Sequence, residues 1–490
     1  MVLIATAACE TDPQVTINGE ILRGNIIAEL DVTSFLGIPF AAPPTGELRW
    51  QAPAEYVAGS GIRDAKTFAP ACMQTPRIVD WYRDLAELFD NERNVVADLP
   101  VSEDCLYLNV WAPNETTNAD LPVMVYIYGG GNNSGWSWEP NYHGHALAAE
   151  GVVVVSIAYR VGDFGFFAHP DINQGPAVAN FGLWDQIAAL QWIRKNIDSF
   201  GGDPDRVTAF GESAGASNIV SLMFSHAADE LFSQGILQST GGFGLGPTRT
   251  LADERERGAA LARQIGDGRQ LSVAEMRAIP ADEFMELSEQ NLQDHYHAPV
   301  VDGTLLDKTV SAKIESGDFI PRRLIVGTNA DEWYAYFPKD TDEKVLETRA
   351  REIFPQGHQA ALAEVSGEDD IRGRLDRIYT AAEFLCPSQY FAEQVSTNDN
   401  PAWVYLFTRA REGPPGKEWR AYHGVELPYV FGTHDDWMTV SEADNRVTRT
   451  TMSYWLEFAK SGNPNGGETV RWPEFEMPDF AVQGIDDPTV

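Results

Sequence analysis

Short apolar runs alternate with helix-like patterns between about residues 105 and 240. The runs at 106–110, 123–128 and 152–159 are rich in β-branched side chains and are as short as buried strands. Ile187, Leu190, Ile193 and Ile197 follow the helical period and predict one buried helix face. A strand at 207–210 and a helix at 216–224 continue the alternation. This pattern predicts a mainly parallel sheet covered by helices on both faces.

The rest of the chain adds strands at both ends and charged helices in between. Residues 15–40 predict short strands with turns at Gly19 and Gly24, and residues 250–320 and 340–395 predict mostly charged helices. Strands follow at 324–327 and 404–407, the latter being the last clear core strand, and a closing helix at 450–459. No linker rich in Pro, Gly or Ser divides the chain. We therefore expect an N-terminal tail over 1–14 and one large domain over 15–490 with helical insertions.

The charge balance narrows the classes of partner. The 490 residues contain 36 Lys and Arg against 72 Asp and Glu, for a net charge of −36. Such an excess repels phosphate backbones and anionic headgroups, so no nucleic-acid partner is expected. A soluble acidic surface suited to a salty medium and the steering of cationic substrates both remain open as reasons for the charge.

The N-terminal residues and the lengths of the apolar runs indicate where in the cell the protein is located. No run approaches the about 18–20 residues needed to cross a bilayer, so no transmembrane segment is expected. Residues 1–8 are apolar but have no basic start, so they are not a complete signal peptide. They could be the trimmed end of one. The stretch Thr6-Ala7-Ala8-Cys9 loosely resembles a lipoprotein cleavage box, and a lipid anchor at Cys9 stays open beside a frayed tail with an idle thiol.

The cysteines and histidine pairs do not predict a metal site. The four cysteines form no CxxC pattern, so a zinc or redox centre is not expected. The two His-x-His pairs, at 143–145 and 295–297, are more typical of polar loops than of metal ligands.

The sharpest chemical signal is Gly211-Glu212-Ser213-Ala214-Gly215, placed between a predicted strand and a predicted helix. This context suits a nucleophilic serine, which must stand on a tight turn in front of a helix N-terminus. The pattern alone is weak, because a glycine-rich turn with a surface serine gives the same letters. Glycines 129–131 strengthen it: three glycines after a buried strand cost conformational entropy, but they let backbone N–H groups approach a substrate oxygen.

A nucleophilic serine on this fold needs an acid and a histidine after it in the chain. Six of the nine histidines follow Ser213, and His423 lies between a polar loop and the apolar residues 427–431, where a general base is expected. Asp331 and Glu332 directly follow the strand at 324–327, at the rim where ligands bind. Position alone does not choose between these two carboxylates.

These residues resemble the type-B carboxylesterase and cholinesterase family over about residues 15–475. The blocks that carry the resemblance are SEDCLYLNV at 102–110, FGGDP at 200–204 continuing through Gly215, and PVVDG at 299–303. Shorter matches lie at 180–182, 185–186, 458–460 and 464–466. The resemblance implies an α/β-hydrolase fold, a large mostly parallel central sheet flanked by helices, and points to a bacterial carboxylesterase.

Carried over by position, the resemblance implies Ser213 as nucleophile, Glu332 as triad acid and His423 as base. It further implies an oxyanion hole formed by Gly130, Gly131 and Ala214, and a second buried acid, Glu212, beside the histidine. It also implies that Ser239 supports the triad acid and that Cys72 and Cys105 form a disulfide. A disulfide implies an oxidising compartment, hence a periplasmic or secreted protein. Cys386 is left without a partner.

The sequence departs from the family pattern at four places, which concern the rim of the site rather than the triad. Trp333 replaces the usual glycine after the triad acid, Asn132 and Asn133 replace aromatic residues after the triple glycine, and Ala209 replaces a larger aliphatic. Trp81 lies in the loop that carries the choline-binding tryptophan of cholinesterases, but this loop differs in length and Trp81 cannot be aligned to that role.

The expected activity is hydrolysis of small-molecule carboxylic esters through an acyl-enzyme, without metal or organic cofactor. The family's triple-glycine loop suggests that esters of bulky or tertiary alcohols are accepted. Alternatives are a cholinesterase-like specificity; lipase, thioesterase or amidase action; and a non-catalytic binding protein on the same fold. The presence of all three triad residue types weighs against the last. The sequence makes no prediction of oligomeric state.

Overall fold

The computed structural model describes residues 12–114, 119–240, 249–291, 296–368, 370–476 and 481–489. The strands of these residues are β1 (Gln14–Ile17), β2 (Glu20–Arg23), β3 (Asn25–Ile27), β4 (Val32–Pro39), β5 (Gly61–Asp64), β6 (Ala71–Cys72), β7 (Val101–Ser102), β8 (Tyr107–Pro113), β9 (Leu121–Ile127), β10 (Val153–Ile157), β11 (Gly202–Glu212), β12 (Gln234–Gln238), β13 (Arg249–Thr250), β14 (Val300–Val301), β15 (Arg323–Asn329), β16 (Ala402–Phe407) and β17 (Val482–Ile485).

The helices of the same residues are α1 (Arg77–Leu88), α2 (His145–Ala149), α3 (Gly162–Gly165), α4 (Phe181–Asn196), α5 (Ala214–Met223), α6 (Leu251–Ile265), α7 (Val273–Arg277), α8 (Ala281–Asn291), α9 (Val310–Ser316), α10 (Glu343–Ile353), α11 (His358–Glu364), α12 (Ile371–Thr380), α13 (Cys386–Val395), α14 (Pro414–Glu418), α15 (Leu427–Phe431) and α16 (Glu442–Ser461). A π-helical turn, Ala381–Leu385, joins α12 to α13.

A ten-stranded sheet organises the part of the chain that the structure describes. Its order is β17-β16-β15-β12-β11-β9-β10-β8-β4-β3. The strands from β17 to β10 run parallel to their neighbours, whereas β8, β4 and β3 continue the sheet antiparallel. This agrees with the large, mostly parallel sheet that the sequence predicts. Every residue of β10 is buried, as expected of a central strand covered on both faces.

The strands predicted in the alternating region and at 324–327 and 404–407 are present, but 404–407 is not the last strand. β17 pairs in parallel with β16 at the edge of the sheet, so that Val404 opposes Val482. The apolar signal of β17 is weak because it has only four residues, with alternating burial, and is followed by acidic residues. Edge strands need less apolar sequence than central ones, which explains why the prediction stopped too early.

The charged helices begin at well-defined caps. In α6, α7 and α16 the residue before the helix is Thr250, Ser272 or Ser441, and each forms a reciprocal capping box with the acid three positions on. Such caps satisfy N–H groups that a helix cannot pair internally. The boxes of α6 and α7 explain how a segment rich in charge forms the helices predicted for 250–320.

The N-terminal boundary is described only in part. β1 begins at Gln14, at the limit between the predicted tail and the predicted domain. Cys9 lies outside the described residues, so the lipid anchor remains a prediction, as does the division into 1–14 and 15–490. Among the described residues no helix is both long and apolar enough to cross a membrane.

Candidate active site

Ser213 stands on a strained turn between the end of β11 and the start of α5. Its backbone has φ 54° and ψ −124°, a conformation that non-glycine residues rarely adopt. A Cβ on Gly211 would lie 2.6 Å from the carbonyl oxygen of Ile127, and one on Gly215 would lie 2.0 Å from the same atom. Only glycine permits this close packing of turn against strand, so the arrangement that the sequence predicted is present.

His423 and Glu332 meet although 91 residues separate them in the chain. Nδ1 of His423 lies 2.5 Å from Oε2 of Glu332. The other carboxylate oxygen, Oε1, accepts the N–H of Asn329 at 2.7 Å and the hydroxyl of Thr328. Glu332 is thus held by the last residues of β15, in an orientation that presents one oxygen to the imidazole.

The neighbouring carboxylate, Asp331, points elsewhere. It accepts the backbone N–H of Ala421 at 3.2 Å and lies 3.5 Å from the guanidinium of Arg420. The choice between Asp331 and Glu332 that position left open is therefore resolved in the geometry. Of the two, Glu332 is the carboxylate beside His423.

His423 also contacts a second carboxylate, that of Glu212. Its Nε2 lies 3.1 Å from Oε1 of Glu212, and its side chain is 19% exposed. Burial lowers the pKa of His423, but Glu212 and Glu332 outweigh this effect and raise the pKa above the ordinary value for histidine. Burial likewise raises the pKa of the Glu212 carboxyl, against the opposing charge of His423.

No hydrogen bond joins the Ser213 hydroxyl to His423 among the described contacts, since Nε2 faces Glu212 instead. Catalytic hydrogen bonds often tighten only when substrate binds, so this geometry is compatible with a general base. A small rotation of the imidazole away from Glu212 would be needed to engage Ser213.

The glycine loop 129–131 packs directly beside Ser213. A Cβ on Gly129 would lie 3.0 Å from Cβ of Ser213, and one on Gly130 would lie 2.2 Å from the carbonyl oxygen of Ser134. Gly130 and Gly131 have φ of 91° and 67°. Their N–H groups make no hydrogen bond to another described residue, so they and the N–H of Ala214 at the start of α5 are available to an oxyanion.

Asn132 braces this loop from behind. Its buried side chain accepts the amide of Asn218 in α5 at 2.8 Å, and its carbonyl accepts the N–H of Gly162 at 2.7 Å. The loop and the helix that carries the serine are therefore tied together. This is what replaces the aromatic residue that the family pattern led us to expect.

Ser239 does not support the acid as the resemblance implied. Among the described residues its hydroxyl has no hydrogen-bond partner. Oε1 of Glu332, the carboxylate oxygen that does not contact His423, accepts hydrogen bonds from Thr328 and Asn329, which lie on β15 itself. The local strand end therefore takes the role that the resemblance assigned to a residue after β12.

Two buried acids near His423 and Glu332 were missed by the sequence analysis. Glu426 accepts hydrogen bonds from Asn329 at 2.6 Å and Gln238 at 2.9 Å, and burial raises its pKa. The carboxylate of Asp376 accepts the N–H of Trp333 at 2.8 Å. A glutamate three residues after His423, at the edge of the apolar run 427–431, could have signalled the first. Asp376 gives no signal, because it looks like any acid of a charged helix.

A cavity of about 550 Å³ leads to Ser213, Glu212 and His423. Seven Trp, Tyr and Phe rings lie in its wall, those of Trp81, Tyr82, Tyr142, Tyr296, Trp333, Tyr336 and Phe384. Trp333, the departure from the usual glycine, thus forms part of the wall. The size lies within the range of small-molecule sites.

The disulfide implied by the resemblance is present between Cys72 and Cys105. It closes a segment that includes α1, which supplies Trp81 to the cavity. Cys386 is a free, exposed cysteine. Within the described ranges no group of three or more His, Cys, Asp or Glu side chains could hold a metal ion, and His295 lies outside them.

Comparison with known proteins places this geometry in a family. Residues 11–489 match the carboxylesterase family. The chain is 36% identical to a fumonisin B1 esterase of Sphingopyxis macrogoltabida over 465 residues, covering 91% of this chain and 82% of that protein. It is 33% identical to a para-nitrobenzyl esterase of Bacillus subtilis (91% and 90% covered) and 32% identical to an acetylcholinesterase of Bungarus fasciatus (93% and 79% covered).

Solved structures agree. A PNB esterase superposes with a TM-score of 0.83 at 31% identity, covering 98% of this chain and 97% of the other. A thermophilic PNB esterase superposes with a TM-score of 0.82 at 32% identity and the same coverage. The predicted α/β-hydrolase fold is thereby confirmed.

Proposed function

Because the chain belongs to the carboxylesterase family and is a carboxylic-ester hydrolase, we propose that Ser213, His423 and Glu332 form its catalytic triad. The observation that carries this proposal is the 2.5 Å contact between His423 and Glu332 beside a strained serine. Strain of this kind persists where the surrounding structure enforces it, and it projects the hydroxyl into the cavity.

The reaction proceeds by acyl transfer. His423 takes the proton of Ser213, and the serine oxygen bonds to the ester carbonyl carbon, leaving negative charge on the carbonyl oxygen. The N–H groups of Gly130, Gly131 and Ala214 stabilise this oxyanion, each donor contributing about 3–4 kcal/mol in comparable sites. The bond to the alcohol then breaks, and His423 gives its proton to the departing oxygen.

Water completes the cycle by the same route. His423 accepts one proton of the water, the hydroxide bonds to the acyl carbon, and the bond to Ser213 breaks as that serine recovers its proton. Glu332 holds the imidazole in one orientation and stabilises its charged form in both halves. Glu212, on the other ring nitrogen, favours the same charged form.

The direct test compares the wild type with Ser213→Ala on p-nitrophenyl acetate and butyrate. We expect a burst of nitrophenol in the wild type and a fall in kcat of at least about 10⁴-fold in the variant. Ser221→Ala is the matched control and should keep its activity, since the hydroxyl of this α5 serine bonds to the Ser217 carbonyl and to no other described residue. Hydrolysis that survives in Ser213→Ala would overturn the triad.

Esters of bulky or tertiary alcohols are the proposed substrate range. The support is the ≈ 550 Å³ cavity and the glycine loop, in which residues 129–131 place no side chain beside the serine. Rates on tert-butyl acetate and ethyl acetate measure this. A strict preference for small primary alcohols would contradict it.

The disulfide supports a location in an oxidising compartment, periplasmic or secreted, with a lipid anchor at Cys9 as one form of it. Alkylation of the protein in intact cells, followed by mass spectrometry, tests this. We expect Cys72 and Cys105 to escape alkylation unless a reductant is added first. Full labelling without reductant would contradict the proposed location.

A further inference from the structure

α1 places an arginine in the wall of the cavity that holds Ser213. Arg77, the first residue of α1, is exposed and lines the same cavity. Its Nη1 would lie 3.9 Å from a Cβ built on Gly131, next to the N–H groups of the glycine loop. It makes no hydrogen bond or ion pair with any described residue. A guanidinium has five N–H donors, and those of Arg77 have no acceptor among the described residues.

Tyr296 stands near the same point of the loop. Its Cε2 would lie 3.8 Å from the Cβ built on Gly131, and its hydroxyl makes no hydrogen bond to a described residue. Burial raises the pKa of Tyr296 to about 12, while the nearby charges of Arg249 and Arg77 oppose this rise. The phenol therefore stays protonated at neutral pH and can donate. Two side chains that can donate hydrogen bonds, one of them charged, therefore lie beside Gly131 without an acceptor among the described residues.

The carboxylates that line the cavity all have partners of their own. Asp80 and Asp84 are about half exposed and pair with arginines of the same region, Asp80 with Arg83 and Arg93 and Asp84 with Arg93. Glu139 accepts from the Tyr82 hydroxyl at 2.8 Å and from a backbone N–H at 3.2 Å.

The two remaining acids, Glu212 and Glu332, share His423. Among the described cavity-lining residues, Arg77 is therefore the one arginine or lysine, and it has no ion-pair partner among them.

The position of Arg77 is not explained by helix stability. A cation in the first turn opposes the helix macrodipole, at a cost of about 0.3–1 kcal/mol. Trp81 lies one turn further on the same face of α1 and also lines the cavity. A cationic ligand stacked on Trp81 would therefore meet the positive charge of Arg77, whereas an anionic group would be attracted.

We propose that Arg77 and Tyr296 form a carboxylate-binding subsite, and that the enzyme favours half-esters whose acyl part carries a free carboxylate a few carbon atoms from the scissile carbonyl. The acyl side follows from the mechanism, because the alcohol oxygen must face His423 while the carbonyl oxygen faces Gly131. This inference rests on the proposed role of Ser213.

The test compares monoethyl glutarate with ethyl 4-carbamoylbutanoate, its neutral amide of the same size. We expect kcat/KM to favour the half-ester by about tenfold or more, chiefly through KM, and the preference to shrink as salt screens the charges. Arg77→Gln should abolish the preference and Arg77→Lys keep part of it, while Tyr296→Phe should reduce it.

Arg351→Gln is the matched control. Arg351 is an exposed arginine of α10 outside the cavity lining, and its loss changes the net charge by the same amount. An unchanged preference in Arg77→Gln, or a wild type that favours the amide, would overturn the subsite.

Binding of glutarate to Ser213→Ala, measured by calorimetry, separates this inference from the proposed function. Glutarate binding that Arg77→Gln weakens at least tenfold supports the subsite even if turnover is lost, and undetectable binding in both proteins contradicts it. Failure of the wild type to hydrolyse p-nitrophenyl butyrate in a Ser213-dependent way would contradict the triad instead.

Discussion

Oε1 of Glu212 lies 3.1 Å from Nε2 of His423, the ring nitrogen that Glu332 does not contact. The imidazole is thus held between two carboxylates in a buried site, and its charged form is favoured. A general base must be neutral to accept a proton. The same contacts that stabilise the charged intermediate of catalysis therefore also oppose the start of the reaction at low pH.

Glu212→Gln should move the pH dependence of the reaction. The wild-type rate is expected to rise with pH through a midpoint above the ordinary pKa of histidine, about 6.5. Removing one carboxylate lowers the pKa of His423, so the rising limb should shift to lower pH by roughly one unit or more. Profiles of kcat/KM for p-nitrophenyl butyrate between about pH 5 and pH 10 measure the shift of the coupled pair formed by His423 and Glu212.

Glu150→Gln, which removes an exposed carboxylate at the end of α2, serves as the control and should leave the profile in place. If the midpoint of Glu212→Gln coincides with that of the wild type, Glu212 does not set the protonation of His423.

Substitution of Glu332 and substitution of its neighbour Asp331, the two acids after β15, should have very different effects on kcat. Glu332→Gln leaves His423 without its carboxylate and is expected to lower kcat by about 10³–10⁴-fold, as in other triads. Asp331→Asn keeps an acceptor for Ala421 and should change kcat little. Kinetics on p-nitrophenyl butyrate, with circular dichroism to verify folding, check both. Equal losses in the two variants would contradict the assignment.

The pair Asp331 and Glu332 also illustrates how far sequence alone reaches. The strand before them and the catalytic rim were predictable from apolar pattern and chain order. Which of the two carboxylates faces His423 depends on the backbone conformation directly after β15. It also depends on contacts with residues 420–423, which are far away in the sequence. Only the family resemblance pointed to Glu332.

The strained turn at Ser213 was predictable from local sequence, because the glycines that this turn requires are close neighbours of the serine. The contacts of Ser239, Glu426 and Asp376 were not predictable, since the residues around them come from other segments of the chain. The Ser239 hydroxyl is buried without a described partner, while β15 itself supplies the contacts to Glu332. Asp376 lies on α12 and accepts the N–H of Trp333, which belongs to the segment after β15. Local patterns therefore pointed to the proposed nucleophile and missed the buried acids.

The disulfide should stabilise both the protein and its substrate cavity. Cys72 and Cys105 are 33 residues apart, a loop whose closure stabilises the folded state by about 3–4 kcal/mol in the chain-entropy account. Replacing both by Ser should lower the free energy of unfolding in urea by about that amount and raise KM, because α1 forms part of the cavity wall. Cys386→Ser, at the free and exposed cysteine, should change neither quantity. Equal stability of the double variant and the wild type would contradict this.

Asp376 should make stability depend on pH. Its side chain is buried, and one oxygen, Oδ2, has no hydrogen-bond partner among the described residues. Burial raises its pKa to about 8, with the charges of Asp331 and Glu332 acting in the same direction. The folded state therefore holds this proton more tightly than the unfolded state, in which the pKa is about 3.9. The stabilisation is complete below the unfolded value and is lost as pH rises towards about 8.

Asp376→Asn removes this titration while keeping an oxygen that accepts the N–H of Trp333. The free energy of unfolding of the wild type should therefore fall relative to the variant between about pH 4 and pH 8, by at most about 6 kcal/mol, and run parallel to it above that range. Urea unfolding of both proteins across this range measures the difference, in which the titrations of groups far from Asp376 cancel. Asp340→Asn, at an exposed position, should show no such divergence. Parallel curves for Asp376→Asn would mean that this carboxyl ionises in the folded protein with its ordinary pKa, and that the turn carrying Glu332 tolerates a buried charge behind it.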